Sequence, residues 1–504
     1  MPARETHFIG IDAGTTGVRC LVMSVSGHPA GAAARRWATA PLPGAPFGRS
    51  FDAEDYWRLT LEAVQEAVAA SGVRPSEVAG LALTSQRLGL VAVGRRGRAL
   101  FASPNADARA VGEGFAIDAR LGQDLYATTG HYPALVLAPA KLQWLRAHDP
   151  DAFARVENVL PLAAYLSYRM TGEAVAERGH LADCGLLDVR DGTVARPLLE
   201  TLDLDPDRTP PARDPGQPVG GLRAGAARGL RLRSGTPVFA APPDTQAALL
   251  GCGVLNPGEG GVVAGWSAPA QIVTAAPMFD DERRTWTTLY LAPGRWAVES
   301  NAADAGRVWS WAVRTLVGDG ERAMRRAFAA AATVPPGADG VTALLGPAVM
   351  GPRAMRPRPG GLLLRVPMAL GEASRAALLR AVLESVVFAV KGNWEQAEAV
   401  AGGRCEAVVL TGGLARAPLF AQTLADVLDR PLEVALAGDS ATRGAALCAA
   451  VGAGAFPSFQ AARPMTSPAR TVEPHPAASA TYADHYRRWV ELDLLMSDLA
   501  DRTR

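Results

Sequence analysis

The stretch FIGIDAGTTGVRCLV, residues 8–22, combines two patterns with different meanings. Its apolar residues predict two buried strands, and Gly14-Thr15-Thr16-Gly17 predicts a tight turn between them, because glycine permits the backbone conformations that such a turn needs. Asp12 lies on the first strand, where an apolar core has no use for a carboxylate. Taken alone, the stretch fits either an ordinary hairpin, in which Asp12 caps its own turn, or a binding site.

The binding-site interpretation has a specific ligand. Backbone N–H groups of the turn, starting at Gly14, and the hydroxyls of Thr15 and Thr16 can converge on a phosphate. Asp12 would repel that phosphate unless a cation lies between them, and Mg²⁺ that keeps part of its water fits this position. Arg19 could meet the same negative charge. These residues are therefore candidates for binding a nucleotide, with Asp12 as the candidate metal ligand.

The totals limit the class of protein. A chain of 504 residues is too long for one ordinary core, so two or more domains are expected. The net charge of +1 without a dense Lys/Arg block argues against nucleic acid or an anionic membrane as the main partner. The five cysteines are far apart, no signal peptide precedes the first strand, and no run of about 18 apolar residues occurs. A cytoplasmic protein with reduced thiols is expected.

Strand and helix patterns alternate along the chain, which indicates an α/β protein. Helical spacing predicts helices over Phe51–Ala70, Ala138–Ala147, Phe153–Thr171, Thr245–Gly253, Ala373–Val400, Pro418–Leu428, Ala441–Gly452 and Thr481–Ala500. Apolar runs predict strands over Val78–Leu83, Leu90–Val93, Gly235–Ala241 and Ala407–Leu410. The Pro- and Gly-rich residues 206–221 and the Pro/Ala-rich residues 453–480 are predicted to be irregular.

The opening pattern occurs a second time. GGVVAGWSAPAQIV, from Gly260, repeats the order of strand, glycine turn and strand, which suggests two lobes built on one plan. Gly265 and Ser267 in this turn could approach a phosphate. Further on, Gly412-Gly413 follows a strand and precedes a helix, so the backbone could approach a ligand near a helix N-terminus. Two lobes that each carry a glycine turn predict a nucleotide bound between them.

Together these motifs resemble the FGGY family of carbohydrate kinases, within the actin-like ATPase superfold. IDAGTTGVR is similar to the family's first phosphate motif, LTGGLARAPLFAQTLADVLDRPLEV to its C-terminal signature, and AALLRAVLESVVFAVKGNWE to the helix before that signature. The resemblance implies an α/β, two-lobed actin-like (ribonuclease H-like) ATPase fold with the active site in the interlobe cleft. It implies an N-terminal lobe over 1–250, a C-terminal nucleotide-binding lobe over 251–456, and an irregular segment with a terminal helix over 457–504. ATP and Mg²⁺ are the implied cofactors, with Gly412, Gly413 and Ala415 on the adenosine side.

The resemblance also implies a catalytic base. The family places it in the stretch that reads APPDTQAALLGCGV here, so Asp244 takes that role, with Thr245 beside it at the substrate. A carboxylate that accepts the proton of a sugar hydroxyl is typically worth about 10²–10⁴ in rate. Asp244 also fits the N-cap of the helix Thr245–Gly253, and both roles are compatible.

The substrate side is expected in SQRLGL, residues 85–90. Gln86 and Arg87 are the candidate hydrogen-bond donors, and Leu88 stands where glycerol kinases carry an acid, which argues against glycerol. Asn105 occupies the position of a tryptophan in many relatives and favours a polar contact. Asp107 and Arg109, in the same motif, fit a structural ion pair better than direct contact with the substrate.

The N-x-D-A-R-A form of that motif and the region TGH…KLQWLRAHDPDAF are similar to kinases of the signal molecule autoinducer-2. The expected function is ATP-dependent phosphorylation of a hydroxyl on a small sugar or polyol. A catalytically weak pseudokinase and an actin-like nucleotide switch are the alternatives. The expected partners are ATP and the sugar or polyol, with no nucleic acid or membrane, and a homodimer is an assembly that the resemblance allows. The two lobes are expected to close about a hinge near Gly251–Gly260, where glycine and proline cluster.

Overall fold

The computed structural model describes residues 5–352, 360–364, 374–405, 407–436 and 438–502. In chain order the strands are β1 His7–Ala13, β2 Gly17–Ser24, β3 Pro29–Arg36, β4 Ala40–Pro41, β5 Arg49–Ser50, β6 Val78–Ser85, β7 Leu90–Val93, β8 Ala99–Ser103, β9 Asn158–Pro161, β10 Ala176–Glu177, β11 Ala212–Arg213, β12 Pro218–Gly221, β13 Pro237–Ala240, β14 Gly260–Val263, β15 Ala268–Thr274, β16 Trp286–Leu289, β17 Trp296–Ala302, β18 Thr342–Leu344, β19 Gly361–Leu363, β20 Val408–Thr411, β21 Leu432–Ala435 and β22 Ala469–Val472.

The α-helices are α1 Ala53–Ser71, α2 Val111–Thr129, α3 Ala138–His148, α4 Pro150–Ala154, α5 Leu162–Thr171, α6 Arg178–Asp183, α7 Arg196–Thr201, α8 Ala224–Leu230, α9 Asp244–Gly251, α10 Ala305–Leu316, α11 Gly320–Ala332, α12 Arg375–Ala401, α13 Pro418–Leu428, α14 Ser440–Gly452 and α15 Pro476–Arg502. Within the described ranges, none of them is both long enough and apolar enough to cross a membrane.

Two large sheets share one plan. The first has the strand order β12-β13-β6-β1-β2-β3, and the second has the order β16-β17-β15-β14-β20-β21-β22. In each sheet an antiparallel meander, β1–β2–β3 or β14–β15–β17, continues into two parallel strands, β6 and β13 or β20 and β21. An antiparallel strand, β12 or β22, follows the last parallel one. The sheets confirm the internal repeat that the sequence predicts, and below we call the two halves the first and second lobes.

The parallel strands bring separate parts of the sequence together. The carboxyl ends of neighbouring parallel strands lie at the same edge of a sheet, and loops at that edge form binding sites in α/β proteins. In the first lobe this edge carries Asp12 on β1, Gln86 after β6 and Asp244 after β13. In the second lobe it carries Gly265 after β14 and Gly412 after β20.

Three apolar cores support this arrangement. One lies in each lobe, and a third lies between the lobes and includes Phe8, Leu249 and Cys448. Helices α9 and α14 meet in the third core and approach closely, since a Cβ on Gly444 would lie 1.9 Å from the carbonyl oxygen of Ala247. The two lobes are therefore packed together behind the edge where the candidate residues lie.

Most predicted elements agree with the structure to within a few residues, and three predictions were wrong. Phe153–Thr171 is not one helix, because Asn158–Pro161 forms β9 and pairs with β7. Its continuous apolar run suits a buried strand as well as a helix, and Pro161 ends the strand. The region 206–221 contains β12, and the region 453–480 contains β22 and the start of α15, so neither is wholly irregular. The predicted helix Ala373–Val400 is α12, whose described part begins at Arg375 after the N-cap Ser374; Ala373 lies outside the described residues.

Candidate active site

The first hairpin, between β1 and β2, contains a buried carboxylate. Asp12 is 4% exposed, and its Oδ2 lies 3.4 Å from Nη1 of Arg19, whose side chain is largely in solvent. Its other oxygen, Oδ1, has no hydrogen-bond partner among the described residues. Burial raises the pKa of Asp12 above its usual value, against the opposing charge of Arg19. A buried carboxylate oxygen without a protein donor is suited to a ligand, and a cation fits it.

The turn itself is fixed from one side. The Tyr56 hydroxyl donates to the carbonyl of Ala13 at 3.0 Å, and Nε1 of Trp37 donates to the carbonyl of Gly14 at 2.8 Å. The Gly14 N–H donates back to Gly17 O at 3.0 Å, so it is not one of the free donors that we expected there. In the part of the chain that the structure describes, the free N–H groups of the turn belong to Thr15 and Thr16, the latter exposed. The absence of a side chain at Gly14 instead leaves space beside the Asp12 carboxylate, because a Cβ there would lie 3.4 Å from Asp12 Oδ1.

A hydrogen-bonded chain links the hairpin to the substrate loop. The Gln86 N–H donates to Ala13 O at 3.1 Å, and Gln86 Oε1 accepts from the Asn105 N–H at 3.0 Å. Asn105 Nδ2 in turn donates to Thr15 Oγ1 at 2.8 Å. Over the described ranges, Gln86 Nε2 and Asn105 Oδ1 are buried without a partner. The pair therefore offers one donor and one acceptor to a polar ligand.

Arg87 differs from the expectation of a free substrate donor. Its Nη1 and Nη2 each donate to a different oxygen of Glu299 on β17, both at 2.7 Å, and the guanidinium lies 5.5 Å from the centroid of the Trp286 ring. Trp286 thus packs beside the candidate site. Glu299 lies 212 residues from Arg87 and on the other lobe, so no local pattern in the sequence could have indicated the pair.

A buried lysine that the sequence did not single out supports the same loops. Lys141 Nζ, on α3, donates to the carbonyl of Leu88 at 2.8 Å and lies 3.5 Å from that of Pro104. Leu88 has a φ of 64°, a left-handed conformation that costs energy for a branched residue and needs support from its surroundings. Burial lowers the pKa of Lys141 to about 8. Lys141 therefore holds the carbonyls of Leu88 and Pro104, the residues next to Arg87 and Asn105 in the two substrate loops.

Asp107 and Arg109 form the structural ion pair that we favoured. Arg109 Nε donates to Asp107 Oδ2 at 2.7 Å, and both side chains are buried. The same carboxylate accepts from the Ser103 hydroxyl at 2.6 Å and from the Arg49 N–H at 2.9 Å. With its oxygens used in this way, Asp107 stabilises the loop rather than offering a contact to a ligand.

Asp244 is the first residue of α9 and lies at the same edge as Asp12. Its Oδ1 accepts from the Thr245 N–H at 2.8 Å, and the N-cap position belongs to Pro243, so Asp244 does not make the usual capping bond. Burial raises the pKa of Asp244 to about 7; Arg87 opposes that rise and the negative charge of Asp12 adds to it. The preceding turn is fixed by the Thr84 hydroxyl, which donates to Pro242 O at 2.6 Å. A partly buried carboxylate that titrates near neutrality can act as a base at physiological pH.

The second lobe contributes two glycine turns in contact with each other. The Gly265 N–H donates to Ser267 O at 2.8 Å, and the Leu414 N–H donates to Ala264 O at 2.9 Å. Gly412 has a φ of 100°, and a Cβ on it would lie 2.5 Å from Ala264 O, so only glycine fits. A Cβ on Gly413 would meet nothing within 4 Å, which leaves space for a ligand beside it. Buried Ala415 and half-buried Ser267 lie in the same turns.

Trp266, the bulky residue of the second hairpin, does not pack into the core. Its side chain is 49% exposed, and the Arg307 guanidinium lies 5.9 Å from its ring centroid. Of the tryptophans on α10, Trp309 is fully buried, whereas Trp311 is exposed.

Comparison with known proteins agrees with this geometry. Residues 7–251 match the N-terminal domain, and residues 261–453 the C-terminal domain, of the FGGY family of carbohydrate kinases. The chain belongs to this family. It is therefore a carbohydrate kinase rather than an actin-like nucleotide switch.

Several FGGY relatives cover nearly the whole chain. Autoinducer-2 kinases from Salmonella paratyphi A and from Escherichia coli K12 are 26% identical over 496 residues, 96% of this chain and 93% of theirs. A xyloylose kinase structure from Brucella ovis is 25% identical with a TM-score of 0.85, and covers 98% of this chain and all of its own. A gluconate kinase structure from Lactobacillus acidophilus is 18% identical with a TM-score of 0.87, and covers 99% of this chain and all of its own. These likenesses confirm the predicted fold and the similarity to autoinducer-2 kinases.

Proposed function

We propose that this carbohydrate kinase transfers the γ-phosphoryl group of ATP to a hydroxyl of a small sugar or polyol, with Asp244 as the general base. The observation that carries the proposal is the position of the Asp244 carboxylate, which begins α9 just after β13 and so lies at the cleft edge. Its raised pKa of about 7 leaves it able to accept a proton near neutral pH. Asp12 and Gln86 lie at the same edge. A base, a candidate cation ligand and a polar substrate contact therefore share one site.

The proton and the phosphoryl group move in opposite directions in this proposal. The substrate hydroxyl donates its proton to Asp244 as its oxygen attacks the γ-phosphorus, and ADP leaves. Gln86 Nε2 and Asn105 Oδ1 orient the substrate, and Thr245 lies beside the base. The phosphoryl transfer needs little further chemistry from the protein, because positioning and charge neutralisation account for most of the catalysis in this reaction class.

The residues present fit Mg²⁺ as a cofactor shared with ATP. The unpartnered Oδ1 of Asp12 is suited to the ion, and no group of three or more acidic, histidine or cysteine residues within the described ranges could hold a metal without the nucleotide. Mg²⁺ commonly binds through one or two carboxylates together with phosphates and water. When bound, it would neutralise charge on the phosphates. Thr15, Thr16 and Arg19 would contact the phosphates from the first lobe.

The second lobe would hold the nucleotide. Gly412 and Gly413 would lie against the adenosine, with Ala415 at the adjoining wall, and Gly265 and Ser267 would approach the phosphates. The open space at Gly413 supports this assignment. ATP held by the second lobe reaches the base on the first lobe only when the lobes are close together, which would also limit transfer to water.

The relatives' names suggest a first set of substrates. Proteins named as kinases of autoinducer-2 and of xylulose are similar over nearly the whole chain, and both names denote small carbohydrates. The test is release of ADP from Mg²⁺·ATP in the presence of a panel of ketoses, polyols and autoinducer-2. Sugar-dependent release that is lost in Asp244→Asn is expected. Sugar binding without any release would instead support the pseudokinase alternative.

A further inference from the structure

An ion pair between the lobes lies beside the proposed sugar site. Arg87 follows β6 of the first lobe, and both of its Nη atoms donate to Glu299 on β17 of the second lobe, at 2.7 Å each. This bidentate geometry uses the guanidinium fork that would otherwise recognise a carboxylate. Asp183 Oδ2 lies 3.8 Å from Nη1 of the same group. One guanidinium therefore faces two carboxylates.

The two anions are held in place by other donors. Glu299 accepts from Gln271 Nε2 at 2.6 Å and lies 3.3 Å from Asn301 Nδ2. Asp183 accepts from the Thr288 hydroxyl, and His131 Nε2 lies 3.4 Å from its Oδ1. Burial opposes the ionisation of Asp183, but the contact with His131 and the charge of Arg87 outweigh it, so the pKa of Asp183 is below its usual value.

An incoming anion would have to replace Glu299 on Arg87. Both partners of the pair are buried, and removal of one partner would leave an uncompensated charge out of contact with water. The Asp244 carboxylate is close enough to act on the charge of Arg87, and Asp12 is close enough to act on Asp244, so both would repel the same anion. Arg87 is therefore not available to a negatively charged group of the substrate.

The same cluster offers acceptors in excess of donors. In the described part of the chain, five buried oxygens of the cluster and the adjoining loop have no hydrogen-bond partner, whereas Gln86 Nε2 is the one amide nitrogen there without a partner; the oxygens are Oδ2 of Asp183, Oδ1 of Asn105, Oε1 of Gln246, Oε1 of Gln271 and Oδ1 of Asn301. Gln246 belongs to the cluster through Thr288, which lies 3.4 Å from its Nε2. Hydroxyl groups can donate to such oxygens, whereas an ionised carboxylate brings no donor.

We propose that Glu299 is a specificity-determining residue, which neutralises Arg87 and makes the site select uncharged polyhydroxy substrates over sugar acids of the same carbon number. The inference rests on the proposed function, because it concerns the substrate of that same site. The inference goes beyond the proposed function because it assigns the selection of uncharged substrates to Glu299, a residue of the second lobe that does not have to touch the reacting hydroxyl.

The wild-type protein provides the first test, with ligands matched in size. Binding of ribitol is compared with that of ribonate, and binding of glucitol with that of gluconate, by calorimetry in the presence of a non-hydrolysable ATP analogue. Since placing like charges together costs several kcal/mol, the acid of each pair should bind at least about 10²-fold more weakly. An acid that binds as tightly as its polyol, or more tightly, would overturn the inference.

Substitution of Glu299 provides the second test. Glu299→Gln retains the size of the side chain and removes its charge, so the ratio of acid binding to polyol binding should rise at least about tenfold. The matched control is Glu384→Gln, which alters another buried glutamate, paired with Arg380 at 2.9 Å in the second-lobe core, and should leave the ratio unchanged. If circular dichroism shows that Glu299→Gln does not fold, Asp183→Asn removes the other anion beside Arg87 and should shift the ratio in the same direction. An unchanged ratio in a folded variant would contradict the proposal.

Phosphorylation of the same ligands is measured separately by ADP release. Charge-selective binding without any release would reject the proposed kinase reaction and leave the selectivity of the site standing. Equal phosphorylation of polyols and acids would reject the selectivity and leave the kinase reaction standing. The two claims can therefore fail independently.

Discussion

The hairpin that joins β1 to β2 and the hairpin that joins β14 to β15 occupy the same position in the two sheets. In both, a glycine after the first strand donates its N–H back across the turn, from Gly14 to Gly17 O at 3.0 Å and from Gly265 to Ser267 O at 2.8 Å. The two backbones therefore make similar turns, and among the described residues the next N–H groups, those of Thr15 and Thr16 and those of Trp266 and Ser267, donate no backbone hydrogen bond.

Their side chains differ. The first hairpin buries Asp12 and places it at one edge with Asp244, whereas the strand before the second hairpin reads Gly260-Gly261-Val262-Val263 and contains no acid. The second turn carries exposed Trp266 and contacts the turn at Gly412. This difference supports a division of labour in which the first lobe supplies the acid–base and metal chemistry and the second lobe binds the nucleotide. The following predictions test that division.

The largest effect is expected from Asp244→Asn. The amide keeps the bond from the Thr245 N–H but cannot accept the substrate proton, so kcat should fall by about 10²–10⁴-fold while ATP affinity, measured by calorimetry, stays unchanged. Because the pKa of Asp244 is raised in the folded protein, ionisation of its carboxyl above pH 7 destabilises the fold. The variant should therefore melt at the same temperature as the wild type or higher at pH 8.

The control for this variant is Asp151→Asn, which alters an exposed acid in the first turn of α4 and should change neither rate nor melting temperature. Wild-type turnover in Asp244→Asn would remove that residue from the mechanism. A lower melting temperature would instead favour the helix-capping role that the sequence also allowed.

Asp12→Asn should have the next largest effect. Loss of the negative charge weakens the proposed cation site, so we expect activity to fall about 10–100-fold and the Mg²⁺ concentration for half-maximal rate to rise. Titration of the rate with Mg²⁺ at saturating ATP and sugar measures this. An unchanged Mg²⁺ requirement would show that the two hairpins do not differ in metal binding.

A smaller effect on binding alone is expected in the second lobe. Gly413→Val would place a side chain in the open space beside the turn, and should weaken ATP binding about tenfold, a loss of about 1.4 kcal/mol, without lowering the melting temperature. Gly412→Ala, its neighbour, should lower the melting temperature, because φ is 100° and the new Cβ would meet Ala264 O at 2.5 Å. Unchanged ATP affinity in Gly413→Val would contradict the nucleotide assignment.

The smallest expected signal is closure of the lobes. Since the base and the nucleotide turns lie on different lobes, sugar plus an ATP analogue should give a smaller radius of gyration by small-angle scattering than the analogue alone. Identical radii in the unliganded, nucleotide-bound and ternary states would count against closure about Gly251–Gly260.

The sequence predicted the position of those candidate residues whose place depends on the local order of a strand and its turn. Asp12, Gln86, Asp244 and Gly412 each follow or end a parallel strand, and the motif that contains each residue also fixes its place at the sheet edge. The prediction was less accurate where hydrogen bonds and strand pairing in the folded protein determine the local structure. The Gly14 N–H is used within its own turn, and β9 occupies part of a predicted helix.

Residues whose partners are distant in the sequence could not be predicted. Glu299 lies 212 residues from Arg87 and Lys141 lies 53 residues from Leu88, and no pattern in the segment around either residue indicates its partner. Only the pairing of the lobes shows that Arg87 is already neutralised. Spacing within one segment carries no information about such contacts.

The pH dependence of kcat/KM for the sugar tests the central claim most directly. If Asp244 is the base, kcat/KM should be constant above pH of about 7 and fall about tenfold per pH unit below it, because protonation of the carboxyl removes the acceptor. The Kd of ATP, bound by the second lobe, should change little over the same range, and the residual activity of Asp244→Asn should lose the inflection. A profile for the wild type that stays flat from about pH 5.5 to about pH 8.5, or an inflection that persists in Asp244→Asn, would contradict the assignment of the base to the first lobe.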